Sequence, residues 1–321
     1  MQLKRAEDFD PELLILFDAY VHGDIDRRAF IDRAAKFAVA GVTAAMLLDG
    51  LNPRFAEAQQ VPKDDARLKA EPVEYPSPAG SGKMRGYLVR PAKASGKLPA
   101  VLVIHENRGL NPHIEDVARR VALEGYLAFA PDALFPLGGY PGDEDKARAE
   151  FQKLDQAKTR EDFVEAVKWL KGRSDGTGKV AAVGFCYGGS ISNMLATRVP
   201  DLSGAVPFYG GQAKAEDVPN IKCPLLLHYA ENDERVNAGW PGVRGGAQSQ
   251  QGLLPGFRLP GYPARLQQRH DPALQQGGGG PGLAAHDRVL QEEPGGLSRF
   301  TAPEGSASPS RERSWVLIYA A

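Results

Sequence analysis

The run Lys179-Val180-Ala181-Ala182-Val183-Gly184-Phe185-Cys186-Tyr187-Gly188-Gly189 constrains this chain more than any other stretch. A short apolar strand, Lys179 to Phe185, meets a tight turn at Cys186, and Ser190 to Arg198 beyond it reads as a helix. Glycines at 184 and 188 let the flanking backbones pass closely, as a strand that turns at once into a helix requires. Such a bend leaves the cysteine side chain exposed at the carboxyl edge of a sheet. It points the new helix's N-terminus at the sulfur, which favours thiolate, and aims the Tyr187 N–H at the place where an oxyanion would develop. A buried structural cysteine beside a packing glycine is the plainer reading, but it leaves the strand–turn–helix context without a purpose. Ser190 and Ser192 fall inside the helix and read as packing residues.

Around this run, strands alternate with helices. Lys83 to Arg90 reads as a strand, and Val101-Leu102-Val103-Ile104, within Pro99 to His105, is a continuous apolar run of the kind buried on both faces. Ile114 to Glu124 is helical and Gly125 stops it. Tyr126 to Ala130 is a strand, Asp143 to Lys171 is mostly helical, and Ala205 to Tyr209 and Pro224 to Tyr229 add further strands. The expected fold is α/β, a mainly parallel sheet with helices on both faces. Asp64 to Glu71, ahead of it, reads as a polar linker.

Composition narrows the partners. With 42% hydrophobic and 25% charged residues and a formal net charge of −1, the chain lacks both the basic excess that nucleic acid calls for and the acidic block of a solvating tail. The expected partner is a small molecule. Six histidines without ligand spacing predict no metal site. Of the two cysteines, Cys223 opens a strand at the amino edge of the sheet. Several residues at about 3.3 Å each separate it from Cys186, beyond the roughly 7 Å Cα limit for a disulfide, so the two should not pair.

Two further loops belong at the same carboxyl edge as Cys186. His105-Glu106-Asn107-Arg108-Gly109 follows the apolar strand at the place where a second oxyanion N–H normally arises. Glu106 there could hold or accept the Cys186 proton; the competing reading is a solvated carboxylate paired with Arg108. Tyr229-Ala230-Glu231-Asn232-Asp233-Glu234-Arg235-Val236 follows the last clear strand. An acid in that position orients a histidine, and Asp233 is the choice over Glu231 and Glu234, with a plain turn aspartate as the alternative.

The ends of the chain differ from its middle. Asp26-Arg27-Arg28-Ala29-Phe30-Ile31 puts twin arginines before a weakly apolar stretch, Ala34 to Leu48, interrupted by Lys36, with small residues near Ala56-Glu57-Ala58. That order suits a twin-arginine signal and export to the periplasm. The long acidic segment before Arg27 suits instead amphipathic helices packed on the domain of a cytoplasmic protein. Stable membrane insertion is not expected, because the apolar stretch is too short. From Pro241 on, 14 glycines and 9 prolines occur while lysine and asparagine vanish, which predicts a disordered tail without strand–helix units. The divisions are therefore 1–60, 61–240 and 241–321.

Taken together, the three motifs around Glu106, Cys186 and Asp233 resemble the dienelactone hydrolase family, the carboxymethylenebutenolidases and their relatives, over about Val73 to Trp240. The resemblance implies an α/β-hydrolase fold and a Cys-His-Asp triad assisted by a glutamate from the first loop. By motif it assigns Cys186, Asp233 and Glu106, with N–H donors from Tyr187 and Asn107. It also implies hydrolysis of lactones or carboxylic esters through an acyl-cysteine, with no cofactor.

One element of that pattern is missing. Where the family carries its histidine in a loop reading roughly His-Gly-Phe, this chain has Pro260-Gly261-Tyr262-Pro263-Ala264-Arg265-Leu266. Choosing synonymous codons for Tyr262 to Asp271 and regrouping them by one nucleotide yields Thr-Gln-His-Gly-Phe-Asn-Asn-Asp. The glycine run at 277 to 280 and the stretch Val289 to Glu293 regroup, in the same frame, to alanines and to Glu-Phe-Phe-Lys-Lys. The chain after about Pro241 thus reads as a frame-shifted family C-terminus that lacks the closing elements, and sequencing the DNA around codon 241 decides it. A frame-shifted protein would be a hydrolase-like scaffold of impaired activity unless His270 or His286 took the histidine's place.

Overall fold

In the computed structural model, which describes residues 9–38, 42–51, 59–230, 233–239 and 256–259, alternating side chains along each central strand generate the two faces of one sheet. In β3 (Leu98–Ile104), Ala100, Leu102 and Ile104 enter one apolar cluster while Val101 and Val103 enter another. β4 (Leu127–Pro131) divides in the same way, with Leu127 and Phe129 on the first face and Ala128 and Ala130 on the second.

Among the described residues the sheet has eight strands in the order β1-β2-β4-β3-β5-β6-β7-β8. β1 (Leu68–Ser77) and β2 (Gly82–Pro91) form an antiparallel hairpin, and β2 joins β4 antiparallel. From there β4, β3, β5 (Gly176–Phe185), β6 (Gly204–Phe208) and β7 (Leu227–Ala230) run parallel. Their carboxyl ends therefore share one edge.

The helices cover both faces because their apolar residues recur at three- and four-residue spacing. α4 (Pro112–Leu123) sends Ile114, Val117, Ala118 and Val121 into the second cluster. Each full-size branched side chain so buried stabilises by about 1.5–3 kcal/mol. Its start is fixed by Pro112 in the first turn and by the Asn111 side chain, which accepts from Ile114 N at 3.1 Å. The stretch expected to be mostly helical is two helices, α5 (Glu144–Phe151) and α6 (Gln156–Lys171), separated because Asp155 caps the second. α6 and α7 (Tyr187–Arg198) contribute Phe163, Val167, Ile191 and Leu195 to the first cluster. The short α8 (Glu234–Asn237) follows β7.

Three expectations need correction or completion. The polar linker expected at 64–71 is already strand from Leu68, where Leu68 to Pro72 pair with Tyr87 to Pro91. The first half of this edge strand is exposed and carries no apolar alternation, so its backbone pairing alone defines it. In the segment where no strand–helix unit can be read, Gly256–Leu259 forms β8, parallel to β7. The open edge of β7 accepts a short Gly-Phe-Arg-Leu run whose apolar residues alternate. The rest of the tail, with its expected disorder and with His270 and His286, lies outside the described residues.

The N-terminal residues form α1 (Pro11–His22), α2 (Arg27–Ala34) and α3 (Ala44–Leu51). Asp10 caps α1, Gly23 at φ +87° ends it, and Asp26 caps α2. Leu13, Tyr20, Val21, Phe30, Ala44 and Leu48 make a separate small core between them. Among the described residues no helix is long and apolar enough to cross a membrane.

Candidate active site

The edge where β3, β5, β6 and β7 end gathers the loops singled out by sequence. Phe185, Phe208 and His228 lie side by side in register across β5, β6 and β7. Cys186 and Tyr209 follow directly at that edge, and the loop to Asp233 leaves β7 two residues after His228.

Cys186 sits between β5 and α7 with φ 53° and ψ −110°. It is one of two non-glycine residues with positive φ among the described residues, the other being Tyr209 at φ 39°. Side chains avoid this region by about 1–3 kcal/mol unless the surroundings impose it, and here backbone packing does so. A Cβ on Gly188 would lie 2.3 Å from the Ile104 carbonyl oxygen, one on Gly184 would lie 2.0 Å from that of Gly188, and one on Gly189 would lie 2.5 Å from that of Phe208. Cys186 N donates to Phe208 O at 3.0 Å, and Ser190 N closes the first helical turn on Cys186 O at 3.1 Å. The helix begins at Tyr187, three residues earlier than the pattern predicts, so its first N–H groups, which have no acceptor within the helix, face the bend.

Glu106 is buried and accepts from the Tyr209 hydroxyl at 3.3 Å. The expected competitor, a Glu106–Arg108 pair, is not what forms. Arg108 Nε instead lies 3.0 Å from Glu144 Oε2, whose other oxygen accepts from the Tyr140 hydroxyl at 2.8 Å. Burial raises the Glu144 carboxyl above its ordinary range, while Arg108 pulls it down. Arg108 and Tyr140 are thus joined through Glu144 in one half-buried network, and Tyr209 touches Glu106.

His105 shapes the Glu106 loop from below. Its Nε2 accepts from Ala133 N at 3.1 Å, so the proton resides on Nδ1, which lies 2.5 Å from the Glu106 carbonyl oxygen. Complete burial lowers its pKa to about 3. This imidazole is a neutral spacer. His113 is buried on α4, and His228 is stacked on Phe208 with ring centroids 4.2 Å apart.

Asp233 follows β7, and its side chain accepts from Val236 N at 2.9 Å, capping α8. Glu231 lies outside the described residues. Neither cysteine forms a disulfide; Cys223 is buried and Cys186 half-buried, and burial pushes the Cys223 thiol up to about 11. Among the described residues no group of three or more His, Cys, Asp or Glu side chains could hold a metal ion.

Sequence reasoning missed Tyr209 as a strained neighbour of Glu106, His105 as the loop's anchor, and α5 as the helix behind the site. The pair Gly210-Gly211 was the available signal for the first. A Cβ on Gly210 would lie 2.3 Å from Gly189 and Ser190 backbone atoms, so the loop after β6 must pass close over the start of α7.

Parallel strands joined by covering helices, with a strand–elbow–helix turn at their carboxyl edge, define an α/β-hydrolase fold. A solved structure described as a candidate dienelactone hydrolase from Klebsiella pneumoniae subsp. pneumoniae shares this fold, with a TM-score of 0.55 and 24% identity over 70% of this chain and 98% of that one. The chain belongs to the dienelactone hydrolase family, whose model matches residues 84–244. It is 60% identical over 114 residues to YghX, a candidate hydrolase fragment of Escherichia coli, covering 36% of this chain and 97% of that protein. A candidate carboxymethylenebutenolidase of Saccharolobus solfataricus is 33% identical, over 50% of this chain and 74% of its own length. A second model, described as YqhI-like, matches residues 1–36.

Proposed function

We propose that the chain hydrolyses lactone or carboxylic ester bonds in small molecules, with Cys186 as nucleophile and an acyl-cysteine intermediate. The observation that carries this reading is the backbone of Cys186, held at φ 53° and ψ −110° by glycine contacts on three sides. Strained non-glycine residues concentrate at active sites and ligand clamps, where the surrounding structure imposes them.

The chemistry follows from the neighbours. The Cys186 thiol gives its proton to the Glu106 carboxylate, and Sγ attacks the carbonyl carbon of the substrate. The π pair moves onto oxygen, where the N–H groups of Tyr187 and Asn107 stabilise it. When the carbonyl re-forms, the C–O bond breaks and the leaving alkoxide takes the proton from Glu106. Water then attacks the thioester, its proton passing to a histidine on the Asp233 side where one is present and more slowly to Glu106 otherwise, and collapse expels the sulfur, which takes up that proton as the acid departs. Asp233, at the end of β7, is suited to orient a histidine that would share this proton traffic. The reading is also supported by the names of relatives such as the candidate carboxymethylenebutenolidase.

Turnover of an activated aryl ester by the wild type and by Cys186→Ala tests it. Removing the nucleophile is expected to lower kcat/KM by about three orders of magnitude or more. Equal rates in the two proteins would end the proposal.

A further inference from the structure

Helix α5 lies between the N-terminal helices and the candidate site, and it grips both. On the N-terminal side Asp145 receives the Tyr20 hydroxyl and pairs with Arg27 at 2.9 Å. Arg148, buried, stacks its guanidinium 3.8 Å from the centre of the Tyr20 ring. It also donates to Asp145 at 2.9 Å and to the Tyr20 carbonyl oxygen. On the other side Glu144 holds Arg108, and the Phe151 ring meets the Tyr187 ring edge-on at 4.7 Å. A direct link bypasses the helix: the Asn107 amide donates to the Val21 carbonyl oxygen at the end of α1, at 3.3 Å.

Each of the two residues whose N–H groups would hold the oxyanion is therefore held from outside the sheet, Asn107 by α1 and Tyr187 by α5. We infer that the N-terminal helical unit is a retained positioning element of the active site, and that Arg148 is the positioning residue through which its docking fixes these two donors. The inference rests on the ester-hydrolysis reading. A donor that moves by about 1 Å from the developing charge can cost up to about 100-fold in rate. The buried Arg148, stacked on Tyr20 and bonded to its carbonyl, would lose both contacts if α1 left, and Asn107 would lose its acceptor. Arg27, one of the twin arginines, pairs with Asp145 in the same dock.

The test uses the full chain carrying Arg148→Ala, Arg148→Lys or Asn107→Ala, which leave the Tyr187 and Asn107 N–H groups in place. Three quantities are compared with the wild type: acylation by p-nitrophenyl acetate, alkylation of Cys186 by iodoacetamide, and amide hydrogen exchange of the segments 105–111 and 184–190. Alkylation displaces iodide at a saturated carbon and forms no oxyanion, so it reports on the thiolate alone. Arg148→Ala and Asn107→Ala are expected to lower kcat for acylation about tenfold with KM unchanged, to leave the alkylation rate at the wild-type value, and to speed exchange in both segments. Arg148→Lys, which keeps the charge, should recover part of the loss. Acylation and alkylation falling together, or neither changing, would overturn the inference. If the wild type turns over the ester no faster than Cys186→Ala, it is the hydrolase reading that has failed; exchange then decides the positioning role alone, and unchanged protection overturns it. Should Arg148→Ala not fold, Tyr20→Phe removes only the hydroxyl donated to Asp145, and the same comparisons are read with a smaller drop, about threefold.

Discussion

The strain at Cys186 can be measured by replacing it with glycine and with alanine. Both variants lose Sγ and its packing equally, so their difference isolates the backbone. A non-glycine residue at φ 53°, ψ −110° carries about 1–3 kcal/mol of strain, which Cys186→Gly relieves and Cys186→Ala retains. Against this, glycine gains freedom in the unfolded chain worth about 0.5–1 kcal/mol. The position is also the N-cap of α7, where glycine is preferred to alanine. The net expectation is that Cys186→Gly is more stable than Cys186→Ala by about 0.5–2 kcal/mol, the reverse of the order found inside a helix. Urea unfolding followed by circular dichroism gives the two midpoints, and equal m-values would show that the unfolded states are comparable. An alanine variant as stable as the glycine variant, or more so, would show that the bend is unstrained. The argument that this fold sustains it for chemistry would then lapse.

Three other outcomes follow from the same geometry. Gly188→Ala would push a methyl to 2.3 Å from the Ile104 carbonyl oxygen, a backbone atom that cannot yield, so it should destabilise by about 3 kcal/mol or more and abolish ester turnover; a wild-type midpoint would refute the contact. At neutral pH iodoacetamide should label Cys186 and spare Cys223, whose burial raises its pKa to about 11; mass mapping of the modified peptides distinguishes them. The third concerns acid stability. His105, lowered to about 3, stays neutral while the unfolded chain gains its proton, so stability is lost as pH falls from about 6.5, by about 2 kcal/mol at pH 5. Asp132, raised to about 6 by burial, gains its proton in the folded state first, so falling pH restores stability between about 6 and 4, by about 1.4 kcal/mol at pH 5. The two nearly offset, and Asp132→Asn should lose about 1.2 kcal/mol more than the wild type between pH 6.5 and 5; parallel pH curves would refute the burial argument.

How much of this was legible in the sequence depended on the type of force involved. The buried strands were readable because Val101 to Ile104 and Val180 to Phe185 are short apolar runs with turn signals at their ends, and burial on two faces leaves that mark. The first half of β1 was not, because Lys69 and Glu71 point to solvent and only pairing with β2 makes Leu68 to Pro72 a strand. The bend at Cys186 was legible from Gly184 and Gly188, whose missing side chains imply close approach. The strain at Tyr209 was legible only indirectly, through Gly210-Gly211, since a tyrosine itself announces no positive φ. Glu106 was placed on the right edge, but its partner Tyr209 comes from another strand's loop, and such pairings leave no local pattern. The N-terminal helices could be read as packed amphipathic elements, yet nothing in residues 9–51 specifies that Val21 meets Asn107, since that contact joins residues 86 positions apart.

The contacts that build the elbow also separate two properties that are usually discussed as one. Those described here come from Ile104, His105, Gly184, Gly188, Gly189, Phe208 and Gly210, all between β3 and the loop after β6. None requires residues beyond Gly210, whatever reading frame the segment after Pro241 follows. Placement of the thiol and of the Tyr187 N–H is therefore a property of the central strands, whereas on the proposed mechanism the histidine that Asp233 would orient, and with it faster deacylation, belongs to the sheet's far side. Losing a histidine from the far side would slow release of the acyl group more than its capture, because Glu106 stands on the near side and is held there by Tyr209. A chain lacking that histidine should still show a burst of one acyl group per Cys186 followed by slow turnover. Restoring a family-like His-Gly-Phe loop should raise the steady rate and leave the burst amplitude unchanged.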